Sequence, residues 1–227
     1  MRNSHIIPTV FSHDRQGFEK RFKRLIKVSK KIQIDFMDGK FVAARSVPVK
    51  GIPNLKRYKI EFEAHLMVKN PFDWIEECKK KGFKRVIFHI EACKEDTVVD
   101  KILKVSKRLG LQVYIAIDPA TPLKRLYPFI KGKKRCDGIL LLGVRPGKEG
   151  QKMSKKIAGR IREIKRLNKS MIVQVDGGVN DRDISTLAKA GVDHVNSGSF
   201  VADAKDPGKR MAELEKLFER AKRRIRE

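Results

Sequence analysis

What most limits the fold of this chain is a repeat: short apolar or alternating runs separated by longer amphipathic stretches. The short runs are SHIIPTV (4–10), KIQIDFM (31–37), IEFEAHL (60–66), RVIFHI (85–90), LQVYIAI (111–117), DGILLLG (137–143), MIVQVD (171–176) and VDHVNS (192–197). Their length, β-branched content and period of two mark them as strands. Helices fit between them. NPFDWIEECKKKGF takes Asn70 as N-cap and Pro71 as first helical residue, and stops at Gly82. EDTVVDKILKVSKRLG puts Val98, Ile102 and Val105 on one side and ends at Gly110, while DISTLAKAG closes on Gly191. The last segment sets Met211, Leu214, Leu217 and Phe218 on one face among charges. Eight strand–helix units in 227 residues, about 28 residues each, predict a parallel sheet and fit a closed (β/α)8 TIM barrel. An open doubly wound sheet fits less well, because the first turn lacks the glycine fingerprint of a dinucleotide site. With no Pro/Gly/Ser-rich linker, residues 1–227 are expected to form one α/β domain.

Composition narrows the setting. The longest apolar run, GILLLGV (138–144), is far shorter than the roughly 18 residues of a membrane span, so no membrane partner is expected. The N-terminal MRNSHIIPTVFSHD turns polar too early for a signal peptide. Cys78, Cys93 and Cys136 are odd in number and scattered, which disfavours a disulfide framework or zinc knuckle and fits a reducing cytoplasm. Lys and Arg total 53 against 27 Asp and Glu, a formal charge of +26. Such a surface attracts phosphates of any kind, including metabolites and, non-specifically, nucleic acid. The basic residues are spread along the chain and accompany no nucleic-acid reader motif, so they read first as solvated helix faces.

The strands raise a sharper question. In KIQIDFMDGKFV, Ile32, Ile34 and Phe36 alternate with Gln33, Asp35 and Met37. EFEAHLM sets Glu61, Glu63, His65 and Met67 against Phe62, Ala64 and Leu66. His89 and Glu91 stand opposite Phe88 and Ile90, and Gln174 and Asp176 opposite Val173 and Val175. One inward His is ordinarily a hydrogen-bonded core residue. Several polar faces converging on a barrel mouth are different, because crowded carboxylates require partners, protons or a metal.

These motifs resemble, in order and nearly end to end, those of the ribulose-phosphate 3-epimerase family. The matching segments are PTVFSHD, IQIDFMDGKFV, EAHLMVKNP, FHIEA, AIDPATPL, GVRPGKEGQ, VDGG and NSGS. The resemblance implies a barrel enzyme that inverts the carbon beside the ketone of D-ribulose 5-phosphate, giving D-xylulose 5-phosphate. Inversion removes a proton from one face and returns one to the other, so two opposed acid/base groups are expected. The resemblance gives these roles to Asp35 and Asp176. It also implies a divalent metal ion (Zn, Fe, Mn, Mg or Co) held by Asp35, His65 and Asp176. Gln33 stands where the family has a fourth ligand, a histidine, and an amide oxygen suits zinc poorly. Thr9, His65, Met37 and Met67 match residues around the substrate. Gly147 and Gly150 belong to a covering loop, and Gly177, Gly178, Gly198 and Ser199 to a phosphate site after strands seven and eight.

Other departures are Leu142 for a methionine, Gln174 for an acidic residue, Ala43-Ala44-Arg45 after F-V, and Lys148-Glu149 in the covering loop. They leave open another ketose phosphate, such as allulose 6-phosphate. A decayed barrel whose basic surface binds RNA is the non-enzymatic alternative. A homo-oligomer is expected.

Overall fold

The computed structural model describes residues 4–131, 136–147 and 150–226. Eight parallel strands close into a barrel in chain order. They are β1 (Ile6–Val10), β2 (Lys31–Met37), β3 (Glu61–Met67), β4 (Arg85–His89), β5 (Gln112–Ile117), β6 (Gly138–Leu142), β7 (Ile172–Asp176) and β8 (His194–Ser197). Around them run α1 (Arg15–Leu25), α2 (Ile75–Lys81), α3 (Asp96–Arg108), α4 (Tyr127–Lys131), α5 (Ile157–Leu167), α6 (Asp181–Ala190), α7 (Ser199–Ala202) and α8 (Pro207–Arg226). The predicted (β/α)8 barrel is the observed fold. No described helix is long and apolar enough to cross a membrane.

Local chemistry sets most boundaries. Asp14 caps α1 by accepting from the Gly17 amide at 2.7 Å, and Asn180 caps α6 through the Arg182 amide. Gly82 ends α2 at φ 102°, and an added Cβ would lie 2.9 Å from the Lys56 nitrogen, so both conformation and space require glycine there. Three expectations are corrected. The segment opening at Asn70 begins as a 3₁₀ turn, Pro71–Trp74, before becoming α-helical, and Asn70 makes no side-chain cap. The connection from β2 to β3 contains two 3₁₀ turns, Val49–Gly51 and Leu55–Arg57, and no α-helix, because Pro48, Gly51 and Pro53 interrupt it. The core face of α3 is Val99, Ile102, Leu103 and Ser106, one step round from the face centred on Val98 and Val105.

The alternation of the strands divides the interior. Ile32, Ile34 and Phe36 point outward and lie fully buried under the helices, worth about 1.5–3 kcal/mol each. Inside the barrel, β4–β6 contribute an apolar cluster of Ile87, Tyr114, Ala116, Leu140 and Leu142. β2, β3, β7 and β8 contribute Gln33, Glu63, His65, Gln174 and Asn196, every one buried. The three cysteines are free and buried.

Candidate active site

Strand register assembles the site. Gln33 pairs with Glu63, Asp35 with His65 and Met37 with Met67, so three pairs of inward side chains rise in layers toward the mouth. β7 brings Asp176 to the same level from across the barrel. Ligand atoms of Asp35, His65 and Asp176 lie within 4.8 Å of one another. The cavity above them is about 300 Å³ and is lined by Thr9, Asp35, Met37, His65, Met67 and Asp176. Gly147, Gly150, Gly177, Gly178, Gly198 and Ser199 line its outer part. The predicted site residues therefore meet in one place, except Gln33, which lies fully buried beneath the two aspartates. Lys148 and Glu149 lie outside the described residues.

The electrostatics follow from burial. Desolvation first, and then the charge of Asp35, push the Asp176 carboxyl up to about 6. Burial holds His65 and His89 below the usual histidine range, against the pull of nearby carboxylates, so both rings are neutral near pH 7. His89 Nδ1 lies 3.4 Å from Glu91 Oε2, and the Nε2 atoms of His89 and His65 share a hydrogen bond of 3.0 Å. His65 Nδ1 lies 3.0 Å from Asp35 Oδ1 and 3.6 Å from Asp176 Oδ2. One imidazole nitrogen and two carboxylate oxygens gathered this closely form an N/O donor set suited to a divalent cation. On this observation Asp35, His65 and Asp176 fit a divalent cation. Gln33 does not join them: its Nε2 donates to Asp35 Oδ1 at 2.9 Å and to Asp176 Oδ2 at 2.6 Å, while its Oε1 accepts from Asn196 Nδ2.

Toward solvent, Thr9 Oγ1 is buried and, among the described residues, unpartnered where it meets the cavity. The Gly177-Gly178 turn crosses the β6–α5 loop so closely that a Cβ on Gly178 would lie 2.7 Å from both Gln151 O and Met153 N. Both glycines have positive φ, 93° and 72°, and the turn leads into α6 at the cavity wall. Arg145 and Lys152 add positive charge to that wall. Neither they nor Asn196 nor His89 were singled out as site residues from sequence. A strand pattern shows that Asn196 alternates, but not that it faces Gln33 from 163 residues away.

Fold and site together define a barrel with a paired-carboxylate centre beneath a cationic, glycine-lined mouth. The model of the ribulose-phosphate 3 epimerase family matches residues 5–202. A cytoplasmic isoform of ribulose-phosphate 3-epimerase from Oryza sativa subsp. japonica is 27% identical, covering 94% of each chain. Ribulose-phosphate 3-epimerase of Mycobacterium bovis is 30% identical over 81% of this chain and 80% of its own. Among solved structures, 3-hexulose-6-phosphate synthase from Salmonella typhimurium superposes with a TM-score of 0.68 at 15% identity, covering 96% of this chain and 99% of the other, a likeness of fold. The chain belongs to the ribulose-phosphate 3-epimerase family and is an enzyme of the isomerase class.

Proposed function

We propose that this chain interconverts D-ribulose 5-phosphate and D-xylulose 5-phosphate. The observation that carries the reading is that Asp35 and Asp176 meet at one mouth, each accepting through one carboxylate oxygen from the same Gln33 amide. Ionised Asp35 takes the proton from the carbon beside the ketone, and the electron pair moves onto the carbonyl oxygen as an enediolate. The Asp176 carboxyl, held near 6, then returns a proton to the opposite face of that carbon, leaving Asp35 protonated and Asp176 ionised. Reversal exchanges the roles. Met37, Met67 and Phe11 form an apolar patch beside the pair that limits access of water to the enediolate. The backbone amides after β7, with Arg145 and Lys152, suit the phosphate, and Thr9 Oγ1 suits a sugar hydroxyl. Asp35, His65 and Asp176 would hold a divalent cation, which when bound would supply Lewis-acid charge to the reaction. A cytoplasmic location, carried in the rice relative's name, belongs to the same reading.

The test is NMR of D-ribulose 5-phosphate in D₂O, with the chelated protein and with each of Zn²⁺, Fe²⁺, Mn²⁺, Mg²⁺ and Co²⁺. Xylulose 5-phosphate carrying deuterium at the inverted carbon is expected. Folded protein that exchanges no proton under any of these conditions would overturn the proposal. Allulose 6-phosphate, run alongside, decides between the pentose and hexose substrates.

A further inference from the structure

Two of the departures noted in the sequence, Gln33 and Gln174, belong to one buried hydrogen-bonded chain. At its lower end Arg85 pairs with Glu63, lies 4.1 Å over the Tyr114 ring and donates to Gln112 Oε1 at 2.7 Å. Glu63 Oε1 accepts from Gln174 Nε2 and, at 3.3 Å, from Asn196 Nδ2. Gln174 Nε2 also donates to Asn196 Oδ1 at 2.7 Å, and Asn196 Nδ2 donates to Gln33 Oε1 at 2.7 Å. At the upper end the two Gln33 N–H bonds go to the two aspartates.

This chain has a direction, and the Glu63 carboxylate sets it. A carboxylate only accepts, so both neighbouring amides must turn their nitrogens toward it. Turning Asn196 over would place its Oδ1 against Glu63 Oε1 and its Nδ2 against the Gln174 nitrogen. With Asn196 fixed, the Gln33 oxygen is satisfied from below, and its NH₂ must face the aspartates. Reversing Gln33 alone would bring two nitrogens together below and set an oxygen against two carboxylates above, leaving buried donors and acceptors unpaired.

The geometry points to Gln33 as a positioning residue that replaces a metal ligand with a hydrogen-bonded clamp. Its amide ties Asp35 to Asp176, and the Glu63–Asn196 pair keeps that amide donor-side up. An amide NH₂ offers no lone pair to a cation. The centre therefore takes a metal through three protein donors and holds its carboxylates in register whether or not one is bound. The clamp rests on the epimerase reading for its purpose, but not for its geometry.

The test has one arm that needs no activity. In protein labelled with ¹⁵N, the Gln33 side-chain amide, assigned by its loss in Gln33→Leu, is expected to give two downfield, slowly exchanging proton signals. They should persist in chelated and in Zn²⁺-saturated protein and collapse in Asn196→Leu. A Gln33 amide that exchanges like an exposed one, or that loses its downfield shift on Zn²⁺ binding as the oxygen turns to the metal, would overturn the clamp. The second arm is kinetic. Asn196→Leu, which touches neither aspartate, should lower kcat about tenfold or more with KM within about twofold, the scale typical of a partner that orients reacting groups. Unchanged kcat in a folded Asn196→Leu protein would also overturn it. If no ketose phosphate is turned over, the epimerase reading fails, while the amide signals still decide the clamp.

Discussion

Asp176 carries two consequences of one cause. Its carboxyl is side-chain 13% exposed and close to Asp35, and desolvation with that like charge lifts it to about 6 from an ordinary value of 3.8. Well below pH 3.8 it is neutral both folded and unfolded, so burial costs nothing extra. Between pH 3.8 and about 6 the unfolded chain has released a proton that the folded protein still holds, so stability falls across that window and levels off above it. Asp176→Asn keeps the shape without the charge. In chelated protein it should be more stable than the parent by about 1–3 kcal/mol at pH 8 and equal to it near pH 3.5, read by urea unfolding. The same substitution should reduce epimerisation by at least about 100-fold, the usual share of a proton-transferring group. At the foot of the barrel, Arg85→Leu leaves Glu63 buried without its cation. It should cost about 3–5 kcal/mol in the same unfolding measurement.

At the scale of elements, the turn after β7 is where backbone geometry and site meet. Gly178 combines a φ of 72° with a Cβ position 2.7 Å from two backbone atoms of the neighbouring loop, whereas a Cβ on Gly150, at φ 76°, would meet nothing within 4 Å among the described residues. Gly150→Ala should therefore cost only the left-handed conformation, about 1–2 kcal/mol. Gly178→Ala adds a clash that only loop movement relieves, so it should cost more in urea unfolding and raise KM for the phosphorylated ketose. An equal cost at both positions would show that the loop crossing is not as tight as the structure has it. The elements also show where local patterning fails. The helix ends at Gly82 and Gly191 follow from glycine's freedom at positive φ and were legible. The buried face of α3 was not, because it depends on which strands the helix lies across.

At the scale of the molecule, a formal charge of +26 surrounds a mouth that Arg145 and Lys152 help to line. Such a field concentrates dianionic substrate, and salt screens it over about 10 Å at 0.1 M. Raising NaCl from 50 to 500 mM should increase KM by about threefold with kcat unchanged, in a steady-state assay. A flat KM would mean that the charge has no part in substrate capture. The barrel itself, its eight strands and the inward course of Gln33, Asp35, Glu63, His65, Gln174 and Asp176 were determined by the sequence alone, because a strand's period of two is a property of its own backbone. That Asp35 meets Asp176, that Asn196 stands between Gln33 and Glu63, and that Gln33 offers nitrogen instead of oxygen were decided only by closure of the barrel. The direction of a buried amide is fixed by its partners' charges, and those partners come from strands that adjoin only once the sheet has joined its own first edge.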